Sequence, residues 1–326
     1  MIVYRKYNHK YDYDSYKNFC EKNFGKNCYQ SKLEHIEWLE SNPLHSIDIA
    51  AIDNKIIGCF HGFKAPVNVN NKTSLFLSLH DLMIDKEEGS QLGLKLMQGG
   101  ILQDIPVILN GAVGRISRAY KRLGSLQFKS QWYRKFIITL KPFKFYFLTK
   151  QLIKYIQDSM EFNFVNNKDS NSVELISSIL DAFKYENEYL QSYFEWRFFQ
   201  ANSPLTFFVY DNDIDNVVIF SLGIRKFIPF LRVISVKNNS HDDDIIYKML
   251  KSIEKFASSC GVPVILYSIT EDHPPPKKLK YNKYKNYPNS YIFAKKNKVP
   301  NNVSINGFAT DLGFDSYSFK GFNDES

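Results

Sequence analysis

The sequence contains the passage Trp38-Leu39-Glu40-Ser41-Asn42-Pro43, which leads into Ile47-Asp48-Ile49-Ala50-Ala51-Ile52, then Asp53-Asn54-Lys55 and Ile56-Ile57-Gly58-Cys59-Phe60. A second passage of the same design begins Trp196-Arg197-Phe198-Phe199, continues through Asn202-Ser203-Pro204, and has a polar turn from Asp211 to Asn216. Each passage predicts the end of a helix, an Asn/Pro stop, and a β-hairpin whose turn contains Asp and Asn. A repeat of this length indicates a duplicated domain rather than a solenoid of short units.

The length and composition agree with a folded protein of two domains. The 326 residues are 44% hydrophobic and 16% aromatic, which is enough for two units of roughly 150 residues that each bury a core. We predict an α/β fold, specifically an α+β arrangement with a mixed sheet and flanking helices in each half, divided into residues 1–145 and 146–326. No apolar run approaches the roughly 18 residues of a membrane span, and no signal-peptide pattern opens the chain, so we expect a cytoplasmic protein.

Charge and metal-binding residue types narrow the choice of partner. The net charge of +8 favours an anionic partner, such as a sugar nucleotide, coenzyme A or nucleic acid. The four cysteines form no close pair and no two histidines lie three or four residues apart, so we expect neither a metal nor a disulfide framework. The densest basic stretch, residues 277–287, interleaves Lys with Tyr, which suits a solvated loop, a phosphate contact or RNA.

One strand of the first half, Leu75 to Ile84, passes into a helix through a turn that carries Gly89, Ser90 and Gly93. Small residues let backbone N–H groups converge at a helix N-terminus, where the helix dipole favours phosphate oxygens. This passage resembles the coenzyme A pyrophosphate loop of the GNAT N-acyltransferases, in which Gln/Arg-x-x-Gly-x-Gly/Ala follows the strand. Here the pattern falls on Glu88-Gly89-Ser90-Gln91-Leu92-Gly93, with Glu88 at the basic or amide position and Gln91 at the first glycine.

Two later segments also resemble this family. The stretch Val107-Ile108-Leu109-Asn110 resembles its later strand, and residues 117–124 resemble its helix Ala-x-x-Tyr-x-x-Leu-Gly, although here Ala119 directly precedes Tyr120. The resemblance implies an acetyl-CoA site and gives Tyr120 the role of acid to the departing thiolate. The implied cofactor contacts are Met83, Ile84, Gly89, Ser90, Gln91, Leu92, Gly93, Leu94 and Asn110.

His80 and Asp81 are the polar pair in an otherwise apolar strand, and they are our candidates for the catalytic base. Because side chains alternate along a strand, we expect only one of the two to face the groove. Each has a structural alternative: His80 as a hydrogen-bonded sheet histidine, and Asp81 as a carboxylate that binds backbone or an acceptor hydroxyl. An amine that arrives already neutral would need neither. Tyr120 has the alternative of simple helix packing.

The corresponding segment of the second half has no glycine and places Asp242, Asp243 and Asp244 at the helix start. Aspartate there caps the helix itself, so we expect that the second half does not bind coenzyme. The passages at 196–197, 202–204 and 307–315 resemble tandem GNAT proteins associated with bacterial surface polysaccharide synthesis, members of which acylate amino sugars carried on nucleotides. The resemblance leaves the second half a structural or acceptor-binding role.

The sequence therefore leads to an N-acetyltransferase that moves the acetyl group of acetyl-CoA to a nucleotide-linked amino sugar, such as a UDP 4-amino-trideoxy sugar. We expect no DNA or RNA partner and no metal, and leave open whether the chain forms a homo-oligomer. One alternative is a Fem-like aminoacyl transferase, which uses aminoacyl-tRNA and would employ the basic stretch at 277–285. The other is a scaffold without catalysis, suggested by the departures at Glu88 and Gln91.

Overall fold

A computed structural model describes most of the chain. The described residues are 1–26, 28–42, 45–69, 72–85, 87, 90–101, 105–112, 118, 120–122, 125–128, 131–139, 142–169, 173–181, 192–200, 202–225, 227–269, 275–283, 289–293 and 303–304. They form two compact units, each with its own sheet.

The first unit consists of Met1–Phe128 and Pro288–Val303, and the second of Lys129–Tyr287 and Ser304–Ser326. The division therefore differs from the contiguous domains 1–145 and 146–326 that we predicted. The physical reason is that a late strand pairs within the first sheet, while residues 131–136 pair within the second.

Among the residues that the structure describes, the first unit contains helices and most strands of an eight-stranded mixed sheet. Three of its helices are α1 (His9–Phe24), α2 (Leu33–Glu40) and α3 (Ser90–Ile101), and residues 118 and 120–122 are also helical. The strands of its sheet are β1 (Val3–Lys6), β2 (His45–Ile52), β3 (Lys55–Val69), β4 (Lys72–Ile84), β5 (Val107–Ala112), β6 (Leu126–Phe128), β14 (Asn289–Phe293) and β15 (Val303–Ser304). Their order is β1-β2-β3-β4-β5-β14-β6, and β15 pairs with β3.

The hairpin predicted in the first half is present as β2 and β3. Its turn residues Asp53 and Asn54 have φ values of 47° and 62°, a left-handed conformation that Asp and Asn tolerate and that matches the twist of a tight hairpin. After the hairpin, β4 runs antiparallel to β3 and parallel to β5, with α3 connecting β4 to β5. Leu92 and Leu96 of α3 pack in the core on one face of this sheet.

The second unit repeats this order of elements. Its strands are β7 (Gln131–Phe136), β8 (Asn163–Asn166), β9 (Phe207–Tyr210), β10 (Asn216–Arg225), β11 (Ile228–Asn238), β12 (Val264–Ile269) and β13 (Asn282–Lys283), in the sheet order β13-β7-β12-β11-β10-β9-β8. Its helices are α4 (Lys150–Asp158), α5 (Val173–Asp181) and α6 (Asp243–Ser259), with a π-helical turn at Glu195–Phe199.

The two units share an order of paired elements, and the duplication itself stays a prediction. A hairpin precedes a strand, a helix and a parallel strand in both units, as β9-β10-β11-α6-β12 in the second and β2-β3-β4-α3-β5 in the first. The inserted strands β7 and β14 each lie antiparallel to the last strand of that series. Along the described residues, no helix combines the length and the apolar character that crossing a membrane requires.

Candidate functional site

Strand β4 carries a β-bulge at the position of the two predicted catalytic residues. Cys59 of β3 is opposite Met83, whereas His61 is opposite His80, so β4 has one residue more than β3 between these pairs. Asp81 takes up the extra residue with φ at 46°, in the left-handed region. Such a bulge bends the strand and re-aims the side chains next to it.

Beyond the bulge, β4 separates from β5. The two strands pair over three residues each, from Leu77 opposite Val107 to Leu79 opposite Leu109. Their pairing ends there. The Asp85 N–H donates to Ile57 O of β3 at 2.8 Å. Because backbone N–H groups alternate between the two edges of a strand, the Ile84 N–H points to the opposite edge, the one that β5 has left. By the same alternation the Met83 N–H faces β3. The arrangement puts the backbone N–H of Ile84 at the open edge.

Helix α3 begins directly after this edge. It starts at Ser90, and the first N–H groups of any helix lack partners within the helix, which is why helix N-termini can bind anions. Glu88 and Gly89 lie outside the described residues, as do the side chains of Ser90 and Gln91. Further along α3, Leu92 is buried in the core and Leu94 is 41% exposed.

Gly93 has a packing role that is visible in the structure. A Cβ atom on this residue would overlap Cδ1 of Ile84, so the absence of a side chain lets α3 lie against β4. Gly58 of β3 is similar, because a Cβ there would come within 2.9 Å of Leu96 Cδ1. Gly93 therefore lets helix and strand lie in close contact without a shift of the Ile84 side chain, whatever else it does.

His80 and Asp81 touch each other, contrary to our expectation that they face opposite sides. His80 Nδ1 lies 3.1 Å from Asp81 Oδ2, because the left-handed residue in the bulge breaks the strand alternation. His61 lies beside His80, with ring centroids 5.1 Å apart, and His61 Nε2 lies 2.8 Å from the Tyr16 hydroxyl of α1. The result is a buried polar chain that runs from α1 through β3 to β4.

Burial controls ionisation in this cluster. Burial and the neighbouring His80 lower the pKa of His61 to about 3, and burial with the adjacent histidines holds the pKa of His45 well below its ordinary value. For Asp81, burial raises the pKa, but the hydrogen bond with His80 and the nearby histidines together lower it to about 2. Burial raises the pKa of Cys20 to about 12, which keeps this thiol protonated.

The other predicted residues have mixed positions. Tyr120 is 4% exposed and packs in the core with Leu77, Leu79 and Leu109. Of residues 117–124, which resemble the family's helix, residues 118 and 120–122 are described, and they are helical. Asn110 lies on β5, but its side chain is outside the described part of the chain.

Three contributors to the cluster were missed by sequence reasoning. Tyr16, His45 and His61 are separated from His80 by long stretches of sequence and meet it only through the register of β2, β3 and β4 and the packing of α1. No spacing rule finds such a group. An alternation count along β3 would have placed His61 on a defined face, but not opposite His80.

The equivalent position in the second unit has a different chemistry. Strand β11 also carries an extra residue, since Ile219 pairs with Ser235 and Phe220 with Val233, and it also leaves β12 beyond Val233. However, the Asp242 carboxylate accepts a hydrogen bond from Asp244 N at 2.8 Å and caps α6. In the second unit, a protein carboxylate thus occupies the helix N-terminus. In the first unit, we predict that the equivalent helix N-terminus binds the anion.

The fold is similar to that of several acyltransferases. The chain matches a probable N-acyltransferase of unknown function from Enterococcus faecalis at TM-score 0.54 and 12% identity, over 90% of this chain and 73% of that one. It matches Saccharomyces cerevisiae N-myristoyltransferase, with bound myristoyl-CoA and inhibitors, at TM-score 0.61 and 9% identity, over 90% and 81% of the two chains. It matches the GCN5-related glucosamine N-acetyltransferase region of a fungal multi-domain β-N-acetylglucosaminidase at TM-score 0.53 and 12% identity, over 89% of this chain and 38% of that one.

No protein-family model matches the sequence, and no curated protein does. The structural likeness, at identities of 9–12%, concerns the fold alone. It confirms the predicted fold class, two mixed sheets with flanking helices. The chain has the fold of the GNAT acyltransferases.

Proposed function

We propose that the first unit binds an acyl-CoA and transfers its acyl group to an amine. The observation that carries this proposal is the bulged end of β4, which separates from β5 and passes directly to the N-terminus of α3. The Ile84 N–H at the open edge suits a thioester carbonyl that gains negative charge, and the start of α3 suits the pyrophosphate. The shared fold with N-acyltransferases supports the same assignment.

The donor and acceptor we favour are acetyl-CoA and the amino group of a nucleotide-linked amino sugar, with a role in surface polysaccharide synthesis. A glucosamine N-acetyltransferase region among the similar structures supports an amino sugar, and the net charge of +8 suits the phosphates of its nucleotide. Another similar structure holds myristoyl-CoA, so the length of the acyl chain has to be tested directly.

We assign a direct transfer within a ternary complex. The amine nitrogen forms a bond to the thioester carbon, the carbon–sulfur bond breaks, the amine loses a proton to the His80–Asp81 pair, and the coenzyme thiolate takes a proton from Tyr120. Within the pair, the Asp81 side chain retains 12% exposure and that of His80 only 1%, so the amine would approach from the Asp81 side. The protonated, buried thiol of Cys20 is poorly suited to forming an acyl-enzyme.

The test is release of coenzyme A thiol with a panel of donors and acceptors. Acetyl-CoA and longer acyl-CoAs are each combined with glucosamine, with UDP- and dTDP-linked amino sugars, and with a peptide amine. The proposal expects turnover with acetyl-CoA and the nucleotide-linked sugars. Turnover only with a long-chain donor or a peptide would keep acyl transfer but reject the sugar. No turnover and no acyl-CoA binding would reject the proposal in favour of the Fem-like or scaffold alternatives.

Three variants test the assigned roles. Asp81→Asn retains a residue that tolerates the left-handed conformation but removes the charge, and we expect it to lower kcat about 10²–10⁴-fold, as loss of a general base does. His80→Gln should have a similar effect, and Tyr120→Phe should slow thiol release without changing donor affinity. If Asp81→Asn and His80→Gln retain full kcat, the amine arrives neutral and the pair is not the base.

A further inference from the structure

Three histidines meet on neighbouring strands of the first sheet. His45 lies on β2, His61 on β3 and His80 on β4, and the register puts His61 directly opposite His80. His45 stands two residues before Ile47, the partner of His61, so it projects from the same face. One ring nitrogen from each histidine lies within 4.8 Å of those from the other two.

His61 and His80 are buried and His45 is partly exposed, and within the described part of the chain two of the cluster's ring nitrogens are buried without a hydrogen-bond partner. His61 is 1% exposed and His80 is 5% exposed. Among the residues that the structure describes, neither Nε2 of His45 nor Nδ1 of His61 has a hydrogen-bond partner. A buried polar atom without a partner is costly, and a bound cation at the centre of the three rings would satisfy both.

The Asp81 carboxylate fixes which ring nitrogen of His80 carries a lone pair. An ionised carboxylate can only accept, so His80 donates its Nδ1–H to Asp81 and keeps a lone pair on Nε2. The Tyr16 hydroxyl lies 2.8 Å from His61 Nε2. If this hydroxyl accepts from His61 Nε2–H, then His61 Nδ1 carries the lone pair that can bind a metal. Carboxylate and hydroxyl partners of this kind orient histidine ligands in metal sites.

We propose that His45, His61 and His80 form a site for a divalent first-row transition-metal ion of the Zn²⁺ class. Imidazole nitrogens suit Zn²⁺, Cu²⁺ and Ni²⁺, and three of them are enough for a site with one open position. Tetrahedral Zn–N bonds of about 2.0–2.1 Å place ligand nitrogens about 3.3 Å apart, so the rings must close slightly on binding. Modest side-chain rotation on three paired strands can provide this.

This inference is independent of acyl transfer. The metal site needs only the three rings and their partners, whereas acyl transfer rests on the open edge of β4 and on α3. The two proposals meet at His80, because a metal on its Nε2 would occupy the ring that is paired with Asp81 in the assigned base. Metal content and coenzyme binding are measured separately, so either proposal can fail alone.

The experiment measures metal binding directly, with Zn²⁺ and Co²⁺ as the probes. The full chain, purified without a polyhistidine tag, is dialysed with Zn²⁺ and then against metal-free buffer, and its metal content is determined by mass spectrometry. We expect about one ion per chain, and Co²⁺ loading should give the visible absorption of a tetrahedral site. Circular dichroism confirms that each sample is folded.

The variants are His45→Gln, His61→Gln and His80→Gln, with His9→Gln as the matched control, since His9 is partly exposed beside Glu40 and outside the cluster. Each cluster variant should lose tight binding, and the control should retain it. Tyr16→Phe keeps all three ligands and should weaken binding about 10–100-fold. Folded wild-type protein with less than about 0.1 ion per chain and no Co²⁺ absorption would overturn the proposal, as would binding that survives in all three cluster variants.

Discussion

At the scale of single residues, Asp81 has the largest effect on the candidate site. Its left-handed backbone, with φ at 46°, makes the bulge in β4 and brings its carboxylate to His80. A non-glycine residue in this conformation costs roughly 1–2 kcal/mol, except that Asp and Asn bear it more easily. The position thus gives up some stability, as residues at functional sites often do.

The conformation of Asp81 predicts an order of stability among its variants. Asp81→Gly should be more stable than Asp81→Ala by about 1 kcal/mol, because glycine adopts positive φ without the Cβ clash that alanine suffers. Both variants lose the same contact with His80, so the difference isolates the backbone. Urea unfolding measures it, and an Ala variant as stable as the Gly variant would show that residue 81 is not left-handed.

A second residue-scale prediction concerns pH. Asp12 is buried, and its carboxylate accepts hydrogen bonds from Arg5 Nη1, from Arg5 Nη2 at 2.6 Å, and from the Asn8 N–H. Burial raises the pKa of Asp12, but the Arg5 hydrogen bonds and Asn8 N–H together lower it below its ordinary value. Since the folded pKa is the lower one, the stabilisation is present above the unfolded pKa of about 3.9 and is lost as the pH falls through the folded pKa.

Asp12→Asn should therefore lower the free energy of unfolding by about 1–2 kcal/mol at pH 7, because charged hydrogen bonds are lost. The difference in the free energy of unfolding between variant and wild type should be smaller at pH 3. Denaturant midpoints at the two pH values measure this change. An equal difference at the two pH values would mean that the charge of Asp12 contributes nothing to stability.

Sequence reasoning at this scale singled out His80 and Asp81 as candidates, because polar residues stand out in an apolar strand. It did not find their contact, since alternation predicted opposite faces and a bulge cannot be located from one strand alone. It also missed His45, His61 and Tyr16, which only the register of three strands brings together. Long-range pairing is the information that local patterns lack.

At the scale of elements, the contact of α3 with β4 positions the site. Gly93→Ala places a methyl group against Ile84 Cδ1 and should destabilise the unit by up to about 2 kcal/mol. This figure is the cost of overpacking reduced by the gain from the better helix propensity of alanine. Ile84→Val removes Cδ1, so the double variant should recover most of that loss. Thermal denaturation of the two single variants and the double variant gives the coupling energy. Additive effects would refute the close packing.

The double variant also tests whether Gly93 has a role beyond packing. If the double variant regains stability and binds acyl-CoA as well as wild type does, Gly93 serves packing alone. If it regains stability but not binding, then the backbone of Gly93 also contributes to the coenzyme site, as the family resemblance implies.

The helix that occupies the matching place in the second unit allows a further prediction. Asp242→Ala removes the N-cap of α6 and should cost about 1 kcal/mol, whereas Asp243→Ala, at the first helical residue, loses only a weaker interaction with the helix dipole. Chemical denaturation compares the two variants. Equal losses would show that Asp242 is not a cap, and would remove one reason for denying this unit a coenzyme site.

Elements were predicted well wherever the pattern was strong. The turn of the hairpin, the strand β4 and the starts of α3 and α6 lie within a few residues of the positions that the sequence predicts, because turn chemistry and apolar periodicity define them locally. Helix α1 begins at His9, where the Asn8 side chain caps it by accepting from Lys10 N. The sequence analysis did not use that capping signal.

At the scale of the whole molecule, the repeated passages predict a duplicated domain, and the two units share an order of elements, but the boundary between the units was not predictable. Repeated motifs predict a repeat, but no local sequence pattern shows that Asn289–Phe293 pairs with β5 and β6, or that Gln131–Phe136 joins the second sheet. A strand's partners depend on the rest of the chain. The roles given to the two units stay a prediction: coenzyme binding by the first, and a structural or acceptor-binding role for the second.

The most direct test of the central claim is a calorimetric titration of acetyl-CoA into wild-type protein and two matched variants. Ser90→Glu puts a negative charge at the N-terminus of α3, which suits the helix dipole but repels pyrophosphate, and Asn239→Glu puts the same charge in the exposed loop before α6. The account predicts binding by wild type and Asn239→Glu and none by folded Ser90→Glu. Binding that survives Ser90→Glu but is lost in Asn239→Glu, or no binding by wild type, would contradict it.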